Sequence, residues 1–110
     1  MQEGKTLFYI KDPSKWDEVV EKGLGLIKNG QKVAILASDE AVTRCIRCDR
    51  LLFDRLKQFV LDEGDVFICK ESLKKFNIPE KRPPDYLIRI DSASSLISKK
   101  KADGWSVQEL

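Results

Sequence analysis

Apolar residues along this chain form two alternating patterns. One is a short unbroken run, the other a longer stretch in which they recur every three or four positions. The runs at residues 6–10 (TLFYI), 33–37 (VAILA), 66–69 (VFIC) and 86–90 (YLIRI) are rich in β-branched and aromatic residues and predict strands. A fifth strand is predicted where Trp105, Val107 and Leu110 alternate with Ser106, Gln108 and Glu109. Between the runs, Trp16, Val19, Val20, Leu24 and Ile27 follow helical spacing. Leu52, Leu56, Phe59 and Val60 do the same within a helical stretch at residues 41–63. Residues 43–50 keep that spacing poorly and predict a break or two helices. Further helices are predicted at 71–76 and at 93–102, the last with Leu96 and Ile97 inward.

The punctuation agrees. Asp12-Pro13, Ser38-Asp39 and Asp91-Ser92 stand where helices begin, and Asn29-Gly30, Gly64, Asn77 and Asp103-Gly104 where they end. Pro79, Pro83 and Pro84 stiffen the loop before the fourth strand. Lys99, Lys100 and Lys101 sit near the C-terminus of the last helix as a solvated end that suits its dipole. Strands alternating with helices predict an α/β fold with a mostly parallel five-stranded sheet. The first three strands are apolar throughout, as strands buried on both faces are. The fourth carries Arg89 after two prolines and the fifth alternates, so both are predicted to be edges.

Composition narrows the class. A chain of 110 residues is one domain, residues 1–110, and its 42% hydrophobic content is enough for a core without staples. Twenty basic against 18 acidic residues give a net charge of +2, which argues against a nucleic-acid binder. The polar start and the lack of a roughly 20-residue apolar run predict no signal peptide and no membrane span. Three cysteines are a poor disulfide framework, so the expected location is cytoplasmic. The absence of histidine excludes Ser-His and Cys-His catalysis and His-ligated metals. No phosphate-binding glycine motif or nucleophile elbow is present, and neither cofactor nor metal is expected.

Parallel α/β sheets bind ligands beyond the C-terminal ends of their strands. Those ends hold Lys11-Asp12, Ser38-Asp39, Cys69-Lys70 and Asp91-Ser92. Cys69 alone among them is a strong nucleophile. A helix start and the adjacent Lys70 would both favour its thiolate. The alternative is that Cys69 is a small apolar core residue. Ser38, Asp39, Lys70 and Ser92 are the expected binding residues around it. Cys45 and Cys48 form C-x-x-C among Arg44, Arg47 and Arg50, a pattern that suits a resolving or redox pair. As a zinc site it supplies only two of four ligands, and two semi-buried cysteines beside an arginine face remain equally open.

The segment Asp65-Val66-Phe67-Ile68-Cys69, with Ser72-Leu73 and Phe76-Asn77-Ile78, resembles the DsrE/DsrF family, small proteins with a cysteine at the end of the third strand. Residues 90–97 and Gly104-Trp105 resemble that family's last helix and strand, so the likeness spans nearly the whole chain. It implies a three-layer α/β/α sandwich with strand order 4-3-2-1-5. It also implies a homo-oligomer, trimer or hexamer, and a sulfur carrier or persulfide-transfer protein with Cys69 as acceptor and a sulfur donor or acceptor protein as partner. Ser38-Asp39-Glu40-Ala41-Val42 and the C-x-x-C segment depart from the family's pattern. Two other readings stand beside it: a non-catalytic oligomeric module that binds a small molecule or partner protein, and a redox or metal protein built on Cys45 and Cys48. In the implied order a single ten-residue helix, about 15 Å long, must cover one whole sheet face. Part of that face is therefore expected to need other cover, from a piece of the broken 43–50 segment sent across or otherwise from a neighbouring subunit.

Overall fold

The computed structural model describes residues 4–44 and 50–110. Its elements are β1 (Lys5–Ile10), α1 (Trp16–Lys28), β2 (Lys32–Ala37), α2 (Arg50–Leu61), β3 (Asp65–Cys69), α3 (Lys70–Lys75), β4 (Ile88–Ile90), α4 (Ala93–Ala102) and β5 (Ser106–Glu109). Short 3-10 turns at Pro13–Lys15 and Asp39–Thr43 precede α1 and follow β2. The strands form one sheet in the order β4-β3-β2-β1-β5. Each of its described pairings is parallel. Both edges are the strands whose composition marked them as edges.

Paired residues of a parallel sheet point to the same side, so the register sorts the strands into two faces. Ile35 pairs with Phe8 and Val66, and all three join the larger apolar cluster, with Ile10, Val33, Ala37 and Ile68. Over them pack Val19 and Val20 of α1, Leu52, Leu56 and Phe59 of α2, and Leu73 of α3. Leu7, Ala34, Leu36 and Phe67 point the other way, where Leu96 of α4 completes the smaller cluster. The layers are therefore α/β/α, with unequal cover on the two sides.

Local chemistry starts and stops the helices. The Asp12 carboxylate accepts from the Ser14 N–H at 2.9 Å, and Pro13 opens the turn into α1. Trp16 is buried at the first position of α1, its indole N–H donating to the Ala41 carbonyl at 2.8 Å. α1 ends in paired bonds from Gly30 N–H to Ile27 and from Gln31 N–H to Leu26. This closure needs a left-handed residue, and Gly30 supplies it with φ +81°. α2 closes in the same way, with Glu63 rather than glycine in the left-handed place at φ 73°. Gly64 follows because a Cβ there would lie 2.5 Å from the Phe59 ring.

Three details differ from expectation. β4 is shorter than the predicted 86–90, because Leu87 N–H turns back to the Pro84 carbonyl and residues 86 and 87 stay in the loop. Arg89 marks the edge, but it also organises that loop, donating to the carbonyls of Glu80, Pro83, Pro84 and Leu87. Lys100 is not a solvated end. Its ammonium lies 4.2 Å from the Trp105 ring centre and 5.4 Å from that of Phe67, so its stem helps cover the thinner face.

Candidate functional site

Two adjacent strands send the chain to opposite faces. After β3 it enters α3, whose Leu73 packs into the larger cluster. After β4 it enters α4, on the other side. Open α/β sheets take their ligands beyond the carboxyl ends of strands that diverge in this way. Cys69 is the last residue of β3 and pairs with Ile90 of β4, at that point.

Strand alternation puts Cys69 on the side of Phe67, the face covered by α4. Its backbone is extended, φ −78° and ψ 120°, and it occupies the cap position of α3 without a side-chain capping bond. The thiol is free and the residue is 3% exposed. Beside β3, Ala37 pairs with Ile68, so the next residue, Ser38, follows toward Cys69. Ser38 is buried and keeps extended backbone, and its hydroxyl donates to the Tyr9 hydroxyl at 2.8 Å. Tyr9, Ser38 and Cys69 thus occupy the same face across three neighbouring strands.

The other expected residues have defined places. Asp39 adopts φ 52°, and its N–H donates to the Ser72 hydroxyl at 2.7 Å, tying the end of β2 to α3. Lys70 reaches Asp91 at 3.6 Å, beyond the ends of β3 and β4. Asp91 is nearly fully exposed, so the pair adds little stability. Ser92 caps α4, accepting from the Ser95 N–H at 3.3 Å and donating to the Ser95 hydroxyl at 2.8 Å. At the far rim Lys11 pairs with Glu109 at 3.1 Å, and that carboxylate holds the Lys11 ammonium above its ordinary value of 10.5. Cys45 and Cys48 lie outside the described residues. Among the described residues no cluster of three or more potential ligands is arranged for a metal, and no helix is long and apolar enough to cross a membrane.

Cys69, Lys70, Asp91 and Ser92 are brought together at the carboxyl ends of β3 and β4, and Ser38 stands at the end of the neighbouring β2. Sequence reasoning missed Tyr9 and Ser72. Tyr9 is legible only as a strand residue two places from Leu7. Ser72 carries no local signal, since its partner is Asp39.

The chain is thus an α/β/α sandwich on a parallel sheet of order 4-3-2-1-5, with a thiol at the divergence of β3 and β4. The same fold occurs in a protein of unknown function, MTH1491 from Methanobacterium thermoautotrophicum, with a TM-score of 0.86, 12% identity, and coverage of 98% of this chain and 100% of that one. It occurs too in BT1422 from Bacteroides thetaiotaomicron, a conserved protein of unknown function (TM-score 0.76, 10% identity, coverage 96% and 95%). The ychN protein from E. coli is a further neighbour (TM-score 0.75, 13% identity, coverage 96% and 99%). No protein-family model matches the sequence, and no match is found among curated proteins.

Proposed function

We propose that the chain is a DsrE/DsrF-like cytoplasmic sulfur carrier with Cys69 as the acceptor. The observation that supports this is the place of Cys69, the one described cysteine, at the point where β3 and β4 part. In the transfer, the Cys69 thiolate attacks the outer sulfur of a donor persulfide. A new S–S bond forms at Cys69, the donor's S–S bond breaks, and the donor leaves as a thiolate. No net oxidation occurs, and the acquired sulfur keeps its proton. Intact mass after incubation with a persulfide donor tests the reading. Wild type and Cys45→Ser/Cys48→Ser should each gain one sulfur, and Cys69→Ser should gain none there. Peptide-resolved alkylation at neutral pH should find Cys69 faster than an ordinary free thiol. Slower alkylation and no added sulfur would overturn the carrier.

The burial of Cys69 favours a second reading, a non-catalytic module that binds a small molecule or a partner protein at the same strand ends. In either reading we take the protein to be a homo-oligomer, a trimer or hexamer. The centre of the α4 face is closed, with Leu7, Ala34 and Leu36 fully buried, but Tyr9, Ile90, Ile97, Trp105 and Val107 are only partly covered at its margins. Light scattering at micromolar concentration should give a multiple of 12.6 kDa, and a clean monomer mass would reject assembly.

A further inference from the structure

A pocket of about 540 Å³ opens on the α3 side of the molecule, lined by Thr43, Arg44, Phe76, Asn77, Ile78, Pro79 and Arg82. Cys69 is not part of it. Phe76 and Ile78 belong to the cluster on the α1–α3 face, whereas Cys69 points to the α4 face. The volume lies within the range of small-molecule sites.

The walls are fixed before any ligand arrives. On one side α3 closes with Asn77 N–H to the Lys74 carbonyl at 3.0 Å and Ile78 N–H to the Leu73 carbonyl at 2.8 Å. Asn77 takes the left-handed turn at φ 56°, and Ile78 and Leu73 share the core, so Phe76 and Ile78 are pinned as an apolar wall. Opposite, the Thr43 hydroxyl donates to the Glu40 carbonyl at 2.7 Å, and Arg44 donates to the Pro13 carbonyl at 3.0 Å and faces Asp17 at 3.4 Å. The third wall is the loop that Arg89 organises through its bonds to Glu80, Pro83, Pro84 and Leu87, and this loop carries Arg82. Arg82 N–H also donates to the Pro79 carbonyl at 2.9 Å.

Among the described lining residues none is acidic, and two carry guanidinium groups. Arg44 is already held by Asp17 and Pro13. The Arg82 side chain is exposed and makes no hydrogen bond or ion pair among the described residues, although it lines the pocket. Lys75, its ammonium 5.9 Å from the Phe76 ring centre, adds positive charge nearby, and Glu80 is exposed beside Arg82 in sequence without lining the pocket. An apolar wall of Phe76, Ile78 and Pro79 beside a planar guanidinium fits a flat apolar body that ends in an anionic group. Preformed walls lower the ordering cost of binding it.

We infer that this pocket is a binding site for a small organic anion with a flat apolar body, anchored by the Arg82 guanidinium, and separate from the strand ends around Cys69. The probe is 8-anilinonaphthalene-1-sulfonate, titrated by fluorescence against the whole chain. N-phenyl-1-naphthylamine, the same body without the sulfonate, is the control. The sulfonate should bind saturably at one site per chain, tighter than the neutral control, and shift the amides of Phe76, Asn77, Ile78 and Arg82 in NMR spectra. Arg82→Glu, on an exposed loop position, should weaken it roughly tenfold or more, and Arg82→Lys should weaken it less. Cys69→Ser should leave the affinity unchanged, which separates this site from the carrier reading. Equal binding of the neutral compound, an unchanged affinity in Arg82→Glu, non-saturable binding, or shifts confined to the α4 face would each overturn the proposal.

Discussion

The two faces of the sheet are built from the same strands and finished differently. On one side α1, α2 and α3 bury a continuous cluster around Trp16, Leu56, Phe59 and Leu73. On the other, α4 is the one helix among the described residues that lies over Leu7, Ala34, Leu36 and Phe67, with Trp105 and the stem of Lys100 filling in. The difference follows from connectivity. With β1 to β4 laid down in order across the sheet, α1, α2 and α3 share a face, and among the described residues the return from β4 to β5 through α4 alone passes over the other. Most of the buried core therefore sits under one face, and Cys69 lies on the thinner one.

The contrast can be broken most forcefully in the core. Phe59→Ala removes a fully buried ring that touches the backbone zone of Gly23 and Gly64, and should cost about 4 kcal/mol in chemical denaturation. Leu96→Ala on the thin side should cost about 2 kcal/mol, since Leu96 is 9% exposed and its surroundings can relax. Lys100→Ala should cost about 1 kcal/mol through the lost cover of Trp105 and Phe67. Equal losses for Phe59→Ala and Leu96→Ala would abolish the distinction between the faces.

A smaller effect separates the faces by pH. The Ser14 N–H holds the Asp12 carboxyl below its ordinary value of 3.8 at the entry to α1. A lowered pKa stabilises the fold above the unfolded value, and that contribution is lost as pH falls through the folded one. Lys11 has the opposite sign. Its raised pKa stabilises below 10.5, and the gain disappears as pH rises through the folded value, at the β1–β5 rim. Both groups are fully exposed, so each effect is small. Thermal unfolding of Asp12→Asn should lose less stability than wild type on acidification, and Lys11→Gln should lose less at alkaline pH. Parallel curves would show that neither pair is coupled to folding.

Much of the architecture was legible because it is written in short-range pattern. The bounds of α4 agree with the 93–102 stretch, and Gly30, Asn77 and Gly104 stand at helix ends as read. The third cysteine's place at a strand end was equally plain, because only the run VFIC had to be recognised. What escaped depends on partners far along the chain. Ser72 means nothing until Asp39 is beside it, and Arg89 reads as an edge charge until the proline loop folds back over it. Glu63 in a left-handed turn contradicts local preference and belongs to the paired backbone bonds that close α2. The candidate site was legible in part, as a set of strand ends. The Tyr9–Ser38 pair was not, since alternation gives a face but not a neighbour.

β5 pairs with β1, joining Thr6 to Ser106 across almost the whole chain. On the ribosome this sets a schedule. β1 to β4 and the helices α1 to α3 can assemble the thicker side while the chain emerges, but α4 and β5 follow them. At roughly 5–20 residues per second, the surface formed by Leu7, Ala34 and Leu36 stays open to solvent and to other nascent chains for the seconds before they arrive. The interval before α4 and β5 dock is therefore when this domain is most open to aggregation, and a chaperone that shields that single sheet face would protect it.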